Sequence, residues 1–287
     1  MPNAHTSVAI AQTIFYTPVV PLVVYLFSRN GRIRPRMAWW PLIPFSLFRL
    51  AGGIVTIIAE KQPGNTGLWI AALILLNVGV VPLIVANLGL TRLIIQDNHA
   101  SKPTYTHLAK ALRLLFLLAI LLLAGGSGTA SVNAHLSRAL TLTGYVVFAL
   151  ELLLLTATQL WFFTRHRGTA PTAAPLLPSS RRVLAATLAA FPLLAVRTAY
   201  GLLEVARQDE PGSAWNPLTG SALAFALMAL LPEYAVLAGW VFVGYAIPAR
   251  REVGGGMEGE DDGPNKVQGR GGVKDGKKRE GCGVEGL

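Results

Sequence analysis

Charge is what this sequence has least of. Only 14% of the 287 residues are Asp, Glu, Lys or Arg, where a soluble domain carries about a quarter. A chain this poor in charge, with 52% apolar side chains, is not built to face water on all sides. Cysteine is also scarce. Cys282 stands alone, which excludes an intrachain disulfide. It is followed by five further residues, which excludes a C-terminal prenylation box. No Asn-x-Ser/Thr acceptor occurs, so N-glycosylation cannot mark an outside face. The first seven residues hold no Lys or Arg, and the apolar run behind them exceeds a signal-peptide core, so it reads as a retained helix.

The usual signs of catalysis are missing too. The histidines are His5, His99, His107, His135 and His166. All fall at the edges of apolar runs, and none has metal-ligand spacing to another. There is no G-x-S-x-G elbow and no G-K-[ST] phosphate loop. The "GGSG" at 125–128 reads as a turn at a helix end. The expectation is a protein that is not an enzyme and takes no metal and no cofactor.

What is present is a series of long apolar runs. Crossing the hydrocarbon core takes about 20 apolar residues. Seven runs qualify, at about 7–28, 38–59, 68–91, 108–126, 139–163, 183–205 and 220–247. Lipid offers no partner for free backbone amides, so each must be a helix. The fold class expected is all-α, a polytopic bundle of seven transmembrane helices over residues 1–250. Residues 251–287 are rich in Gly and mixed charge without periodicity, and read as a disordered cytoplasmic tail. Its cluster Lys277-Lys278-Arg279 is a weak candidate for binding acidic groups.

The net charge of +10 is distributed with a bias. Residues 1–250 carry 18 Lys and Arg against 7 Asp and Glu. The excess sits in alternate loops: Arg29, Arg32, Arg34 and Arg36 in the first, Lys102 with Arg92, Lys110 and Arg113 around the third, Arg165 to Arg182 in the fifth, Arg250 and Arg251 after the last run. The other loops hold little beyond Lys61, Arg138 and Arg207. This is membrane topology and not a nucleic-acid surface. The positive-inside rule puts the N-terminus outside or in a lumen and the C-terminus in the cytoplasm, without choosing between plasma membrane and endomembrane. Trp39, Trp40, Trp69 and Trp161 stand at run ends, where interfacial rings are favoured.

Four ionisable residues lie deep in the runs: Arg49, Glu151, Arg197 and Glu233. Counted from the cytoplasmic ends, they lie ~17 to ~21 Å deep, near the midplane. An isolated charge there costs at least a few kcal/mol (about 2.5–3.5 on insertion scales). Two positive and two negative charges in one layer imply mutual pairing, with Arg49 meeting Glu151 or Glu233. Gly53, Thr56 and Glu60 continue the Arg49 face, and Gly52-Gly53 admits a close neighbouring helix. In "RTAYGLLE" Arg197, Tyr200 and Glu204 share a face, and Tyr200 is positioned to donate to a carboxylate. Pro232 lacks an amide, so the Met228 carbonyl loses its helical partner and a kink is expected just before Glu233. Asn77 and Asn87 are candidates to join the network. A charge network of this kind either fixes helix order or builds a pocket, and the two are compatible.

The stretches "FSLFRLAGG", "FPLLAVRTAY" and "LPEYAVLAGWVFVGY" resemble an uncharacterised family of fungal seven-helix integral membrane proteins known as a domain of unknown function. It is distantly similar in layout to fungal receptor-like and lipid-resistance families. The likeness covers about residues 7–247 and is carried by Arg49, Gly52, Gly53, Arg197, Tyr200, Pro232 and Glu233. It implies the seven-helix fold and brings no activity, ligand or catalytic residue. The Asp/Glu-Arg signature of the third helix and the Asn-Pro-x-x-Tyr of the seventh in rhodopsin-like receptors are absent. Three functions follow from the residues: a receptor-like protein binding a small molecule or lipid at Arg49, Arg197 and Glu233; a proton-linked transporter using Glu151 and Glu233; or a scaffold. The partners implied are the bilayer and such a ligand, with no nucleic acid and no assigned oligomeric state.

Overall fold

The structure is a computed structural model. It describes residues 3–30, 38–62, 64–78, 80–99, 103–129, 133–167, 176–208, 210 and 213–248. The expected tail at 251–287, the cluster Lys277 to Arg279, the loop residues Arg32, Arg34, Arg36 and Lys102, and the Asn77 side chain lie outside the described residues.

The described chain is all-helical. Its elements are α1 (Ala4–Asn30), α2 (Leu42–Lys61), α3 (Thr66–Val78), α4 (Val80–His99), α5 (Pro103–Thr129), α6 (Ala134–Arg167), α7 (Pro178–Ala206), α8 (Ala222–Phe225), a π-helical stretch Ala226–Leu230, and α9 (Leu231–Ala246). Among the described residues, seven helical spans are long and apolar enough to cross a membrane. α3 and α4 together make the third, Thr66–Asn98, and the pieces from Ala222 to Ala246 make the seventh. Pro18 and Pro21 sit inside α1 and Pro192 inside α7, as membrane helices tolerate.

The distribution of side chains is that of a bundle in lipid. Leu121, Ile14, Leu114 and Phe242 are each more than 65% uncovered by protein. Arg49, Arg197 and Glu233 are at most 1% exposed. Aliphatic groups face outward and charge faces inward, the arrangement that hydrocarbon as solvent selects. α4 is central, packing against α2, α5, α6 and α7, and the ring closes where α1 meets α9.

Small residues set the closest approaches. A Cβ on Gly53 would lie 2.7 Å from Thr13 Oγ1 and 3.1 Å from the Ala9 carbonyl. The Gly52-Gly53 pair therefore serves the α1–α2 contact. Gly126 does the same for α5 and α6, where a Cβ would lie 3.0 Å from the Ser137 carbonyl.

Polar side chains tie the two ends of the bundle. At the Asn30 end, Arg29 donates to the carbonyls of Tyr245 and Ile247, Asn30 to Gly244, and Arg182 to Ala246. These carbonyls end α9, so three cationic or amide side chains satisfy groups that a helix C-terminus leaves free. Asn98 accepts from the Leu177 amide and Asp97 from the Ser180 hydroxyl, joining α4 to the start of α7. At the Ala4 end, Arg138 donates to the Ala206 carbonyl and His5 lies 3.0 Å from the Gly220 carbonyl.

One local expectation is corrected. α2 begins at Leu42, and Trp39 ahead of it is buried, its ring against Gly244, rather than interfacial. Pro41 stands immediately before α2, where its missing amide and fixed φ suit a helix start and not a helix interior. "GGSG" lies at the C-terminal end of α5, at a helix end as the sequence indicates. The seventh span is built of a short helix, a π stretch and α9.

Candidate functional site

Three helices bring one charge each to the same point. Arg49 lies on the buried stripe of α2 with Phe45, Ser46, Gly52, Gly53 and Thr56, a 3.6-residue periodicity. Arg197 lies on the buried face of α7 with Leu194, Ala190 and Gly201. Glu233 opens α9, directly after Pro232. Arg49 Nη2 and Arg197 Nε both donate to Glu233 Oε1, the second at 2.5 Å. All three side chains are buried.

The local backbone explains how Glu233 reaches them. Pro232 has no amide to offer Met228, and its ring crowds that carbonyl. The preceding Ala226–Leu230 widens to π geometry, the usual response when one residue interrupts the helical ladder. The helix thus departs from regular α geometry just ahead of the proline, the point at which the sequence predicts an interruption.

The charges do not pair two by two. Glu151 is fully buried on α6, but neither of its oxygens has a hydrogen-bond partner among the described residues. It therefore stands outside the Arg49–Glu233–Arg197 cluster, and the mutual pairing of four charges is corrected to two arginines on one glutamate. Helical periodicity puts Glu151 on an inward face with Phe148, Leu152 and Leu155, but that face meets apolar side chains. Tyr200 is corrected as well. Its hydroxyl donates to the Trp215 carbonyl at 2.9 Å and not to a carboxylate. Its ring lies 5.8 Å from the Arg197 guanidinium, so it joins the cluster through its π face. Asn87 belongs to a separate network, accepting from Gln159 Nε2 at 2.9 Å, while Thr91 accepts from the same nitrogen at 2.8 Å.

Sequence reasoning missed the α1 contribution. Gln12 and Tyr16 are buried on α1 with Ala9, Val23 and Leu26. Gln12 Nε2 donates to the Arg49 carbonyl at 2.5 Å. Tyr16 packs edge-on against Phe45 and Tyr234, and Phe15 stacks on Tyr234 at 4.2 Å. Tyr16 and Tyr234 lie within electrostatic range of Arg49 and Glu233. The available signal was the four-residue spacing of Gln12 and Tyr16, two polar groups on one face of an apolar run.

Several polar atoms of this cluster have no partner among the described residues: Arg49 Nε and Nη1, Arg197 Nη1, Glu233 Oε2, and the hydroxyls of Tyr16 and Tyr234. Buried polar groups are normally satisfied, and each exception calls for water or a ligand.

A recess lies at the Ala4 end of the bundle. It is lined by His5, Val8, Ala9, Gln12, Thr56, Leu76, Pro217 and Phe225. Its free space is about 240 Å³, including the part open to solvent. Gln12 and Thr56 face this recess, and Gln12 bonds to Arg49.

These features define a seven-helix membrane protein with a charged site between α2, α7 and α9. Over residues 3–250 the chain matches the model of a domain of unknown function (DUF7702), and it belongs to that family. No curated protein and no solved structure matches it. The family resemblance read from the sequence is thus found at the level of the domain.

Proposed function

We propose that this is a receptor-like seven-helix protein that binds a small molecule or lipid at the Arg49–Glu233–Arg197 cluster, rather than an enzyme. The observation that carries the reading is the set of unpartnered buried donors around Glu233, immediately beside a π stretch and a proline. A purely structural ion-pair network gains by satisfying every member, because each buried group left free costs free energy. π stretches within helices occur often at functional sites. The sequence likeness to fungal receptor-like families supports the same layout, as does the positive-inside orientation with the N-terminus outside or lumenal. In that orientation the recess opens to the outside or the lumen.

The test is thermal stability of the purified protein against a panel of lipids and metabolites. A ligand that stabilises the parent and not an Arg197→Gln variant supports the reading. Equal melting across the whole panel overturns it.

One observation favours a second reading, a proton-linked transporter. Glu151 is a buried carboxylate without a partner among the described residues, and lone intramembrane carboxylates are used as proton carriers. Proteoliposomes showing no flux under a pH gradient or a voltage would remove it.

A further inference from the structure

The geometry points to the chemistry of the ligand: we infer that the site takes a carboxylate monoanion. The inference rests on the binding function proposed above and deepens it.

The charge count comes first. Two guanidinium groups share one carboxylate, so the cluster holds one positive charge in excess. Arginine does not lose its proton in proteins. Among the other acids of the described residues, Glu204 acts on Arg197 only through space and more weakly than Glu233 does. Glu151 makes no hydrogen bond to either arginine. Glu204 is half-buried, and stands seven residues beyond Arg197 on α7, ~10 Å along the axis. Lys and other arginines are not among the groups facing Glu233 in the described structure; its two salt bridges are to Arg49 and Arg197.

The hydrogen-bond count agrees. The unpartnered atoms include three guanidinium nitrogens, Arg49 Nε, Arg49 Nη1 and Arg197 Nη1, and two phenol hydroxyls, Tyr16 and Tyr234. Glu233 Oε2 is the one carboxylate acceptor left over in that cluster. Donors therefore outnumber acceptors, and a ligand must be rich in acceptors. A carboxylate offers about four lone-pair sites and one negative charge, and it pairs with guanidinium in strong, directional hydrogen bonds. Water can satisfy the donors but leaves the excess charge buried.

The surroundings also fit an acid with a carbon body. Phe15, Tyr16, Phe45 and Tyr234 form an aromatic wall beside the donors. The recess adds Val8, Leu76 and Phe225. Phe225 is joined to Glu233 through the π stretch and Pro232. Widening the recess by moving Phe225 therefore moves the segment that carries Glu233. A carboxylate can be that of a free small acid or that of a fatty acid in the bilayer, and the two share the recognition chemistry.

The experiment measures melting temperature of the full chain in nanodiscs with octanoate, octanol, oleate, methyl oleate and chloride at matched concentrations. A second protein, the Tyr16→Phe/Tyr234→Phe double, removes two donors that have no protein partner in the described structure and so folds as well as the parent. The expected result is a rise of several degrees with octanoate or oleate, none with the alcohol or ester, and loss of more than half of the rise in the double variant. A rise with oleate alone assigns a lipid source, and a rise with both assigns the acid group as sufficient. Equal effects of octanoate and octanol, an equal effect of chloride, or an undiminished rise in the double variant overturns the inference. If the acids fail while a neutral or cationic compound of the wider panel stabilises the protein, the binding function stands and the carboxylate assignment falls. If nothing in either panel stabilises it, both fall.

Discussion

Arg49 and Arg197 donate to the same carboxylate oxygen of Glu233, Oε1, from two different helices. The three residues are thus not equivalent. Removing Glu233 leaves two buried cations without an anion, whereas removing either arginine leaves a balanced pair. Breaking a buried pair by deleting one partner costs about 3–5 kcal/mol when a charge is stranded. We expect Glu233→Gln to lose at least that much. Arg49→Gln and Arg197→Gln should each lose clearly less, about 1–2 kcal/mol, as for ordinary buried hydrogen bonds. Melting temperatures in mild detergent give the order, and equal losses for all three would show that the 2:1 arrangement does not govern stability.

Glu151 should behave in the opposite way. Its carboxylate is buried and unpartnered in the described structure. Burying a polar group without a partner costs free energy, about 1–3 kcal/mol by protein mutational data. Glu151→Gln or Glu151→Leu is expected to melt at the parent's temperature or above it. A loss of several degrees would mean that Glu151 has an essential partner.

The bundle was legible in the sequence because lipid imposes one rule on every span: about 20 apolar residues, all helical. The three clustered charges were legible for the same reason, since a charge in an apolar run must find a partner. What the sequence did not reveal was which charge meets which. Arg49 and Glu151 give the same signal and face inward alike, but periodicity fixes only a helix's own face, not its rotation against its neighbours. Glu151 shares its buried face with Phe148 and Leu155, which belong to an apolar cluster with Ile84 and Leu88 of α4, while Glu233 is turned toward both arginines. Tyr200 was misread because its partner, the Trp215 carbonyl, comes from a connection that folds back onto α7. The arginines at the Asn30 end were read only as topology markers. Arg29 and Arg182 also hold the last carbonyls of α9, a task that composition cannot reveal.

The two neighbouring glycines of α2 make a controlled comparison. A Cβ at Gly52 meets Leu75, Leu76 and Gln12 at 3.5 Å or more, ordinary contact. At Gly53 it meets Thr13 Oγ1 at 2.7 Å and the Ala9 carbonyl at 3.1 Å. Thr13 is already held, donating to that carbonyl, so it cannot simply rotate away without giving up the bond. Gly53→Ala is expected to cost about 1–3 kcal/mol by overpacking. Gly52→Ala should be neutral or slightly stabilising, because alanine is the better helix former. Thermal melts of the two single variants decide it.

The orientation proposed from the loop charges has a built-in probe. Cys282 is the chain's one cysteine and lies in the C-terminal segment. With the C-terminus cytoplasmic, a membrane-impermeant maleimide leaves Cys282 unlabelled on intact cells and labels it after permeabilisation. For a protein in an internal membrane, selective opening of the plasma membrane alone exposes it. Labelling of intact cells would reverse the assignment.

Pro232 is where stability and function should part. It withholds an amide from Met228 and is followed at once by the residue that both arginines hold. Pro232→Ala restores a donor and relieves the crowding at that carbonyl, which in a helix interior is worth up to about 3 kcal/mol. If the proline sets the π stretch, the variant straightens Ala226–Leu230 toward regular helix and melts higher. Straightening also changes the turn count between Phe225, on the recess, and Glu233, in the cluster. One residue of register is about 100° of rotation, since a helix has 3.6 residues per turn, enough to swing the carboxylate away from Arg49 or Arg197. The variant should therefore show a higher melting temperature and a smaller shift with added carboxylate than the parent. A lower melting temperature would mean that packing around Trp240 and Phe225, and not the proline, holds the π stretch in place. An unchanged ligand shift would mean that recess and cluster do not communicate along this segment.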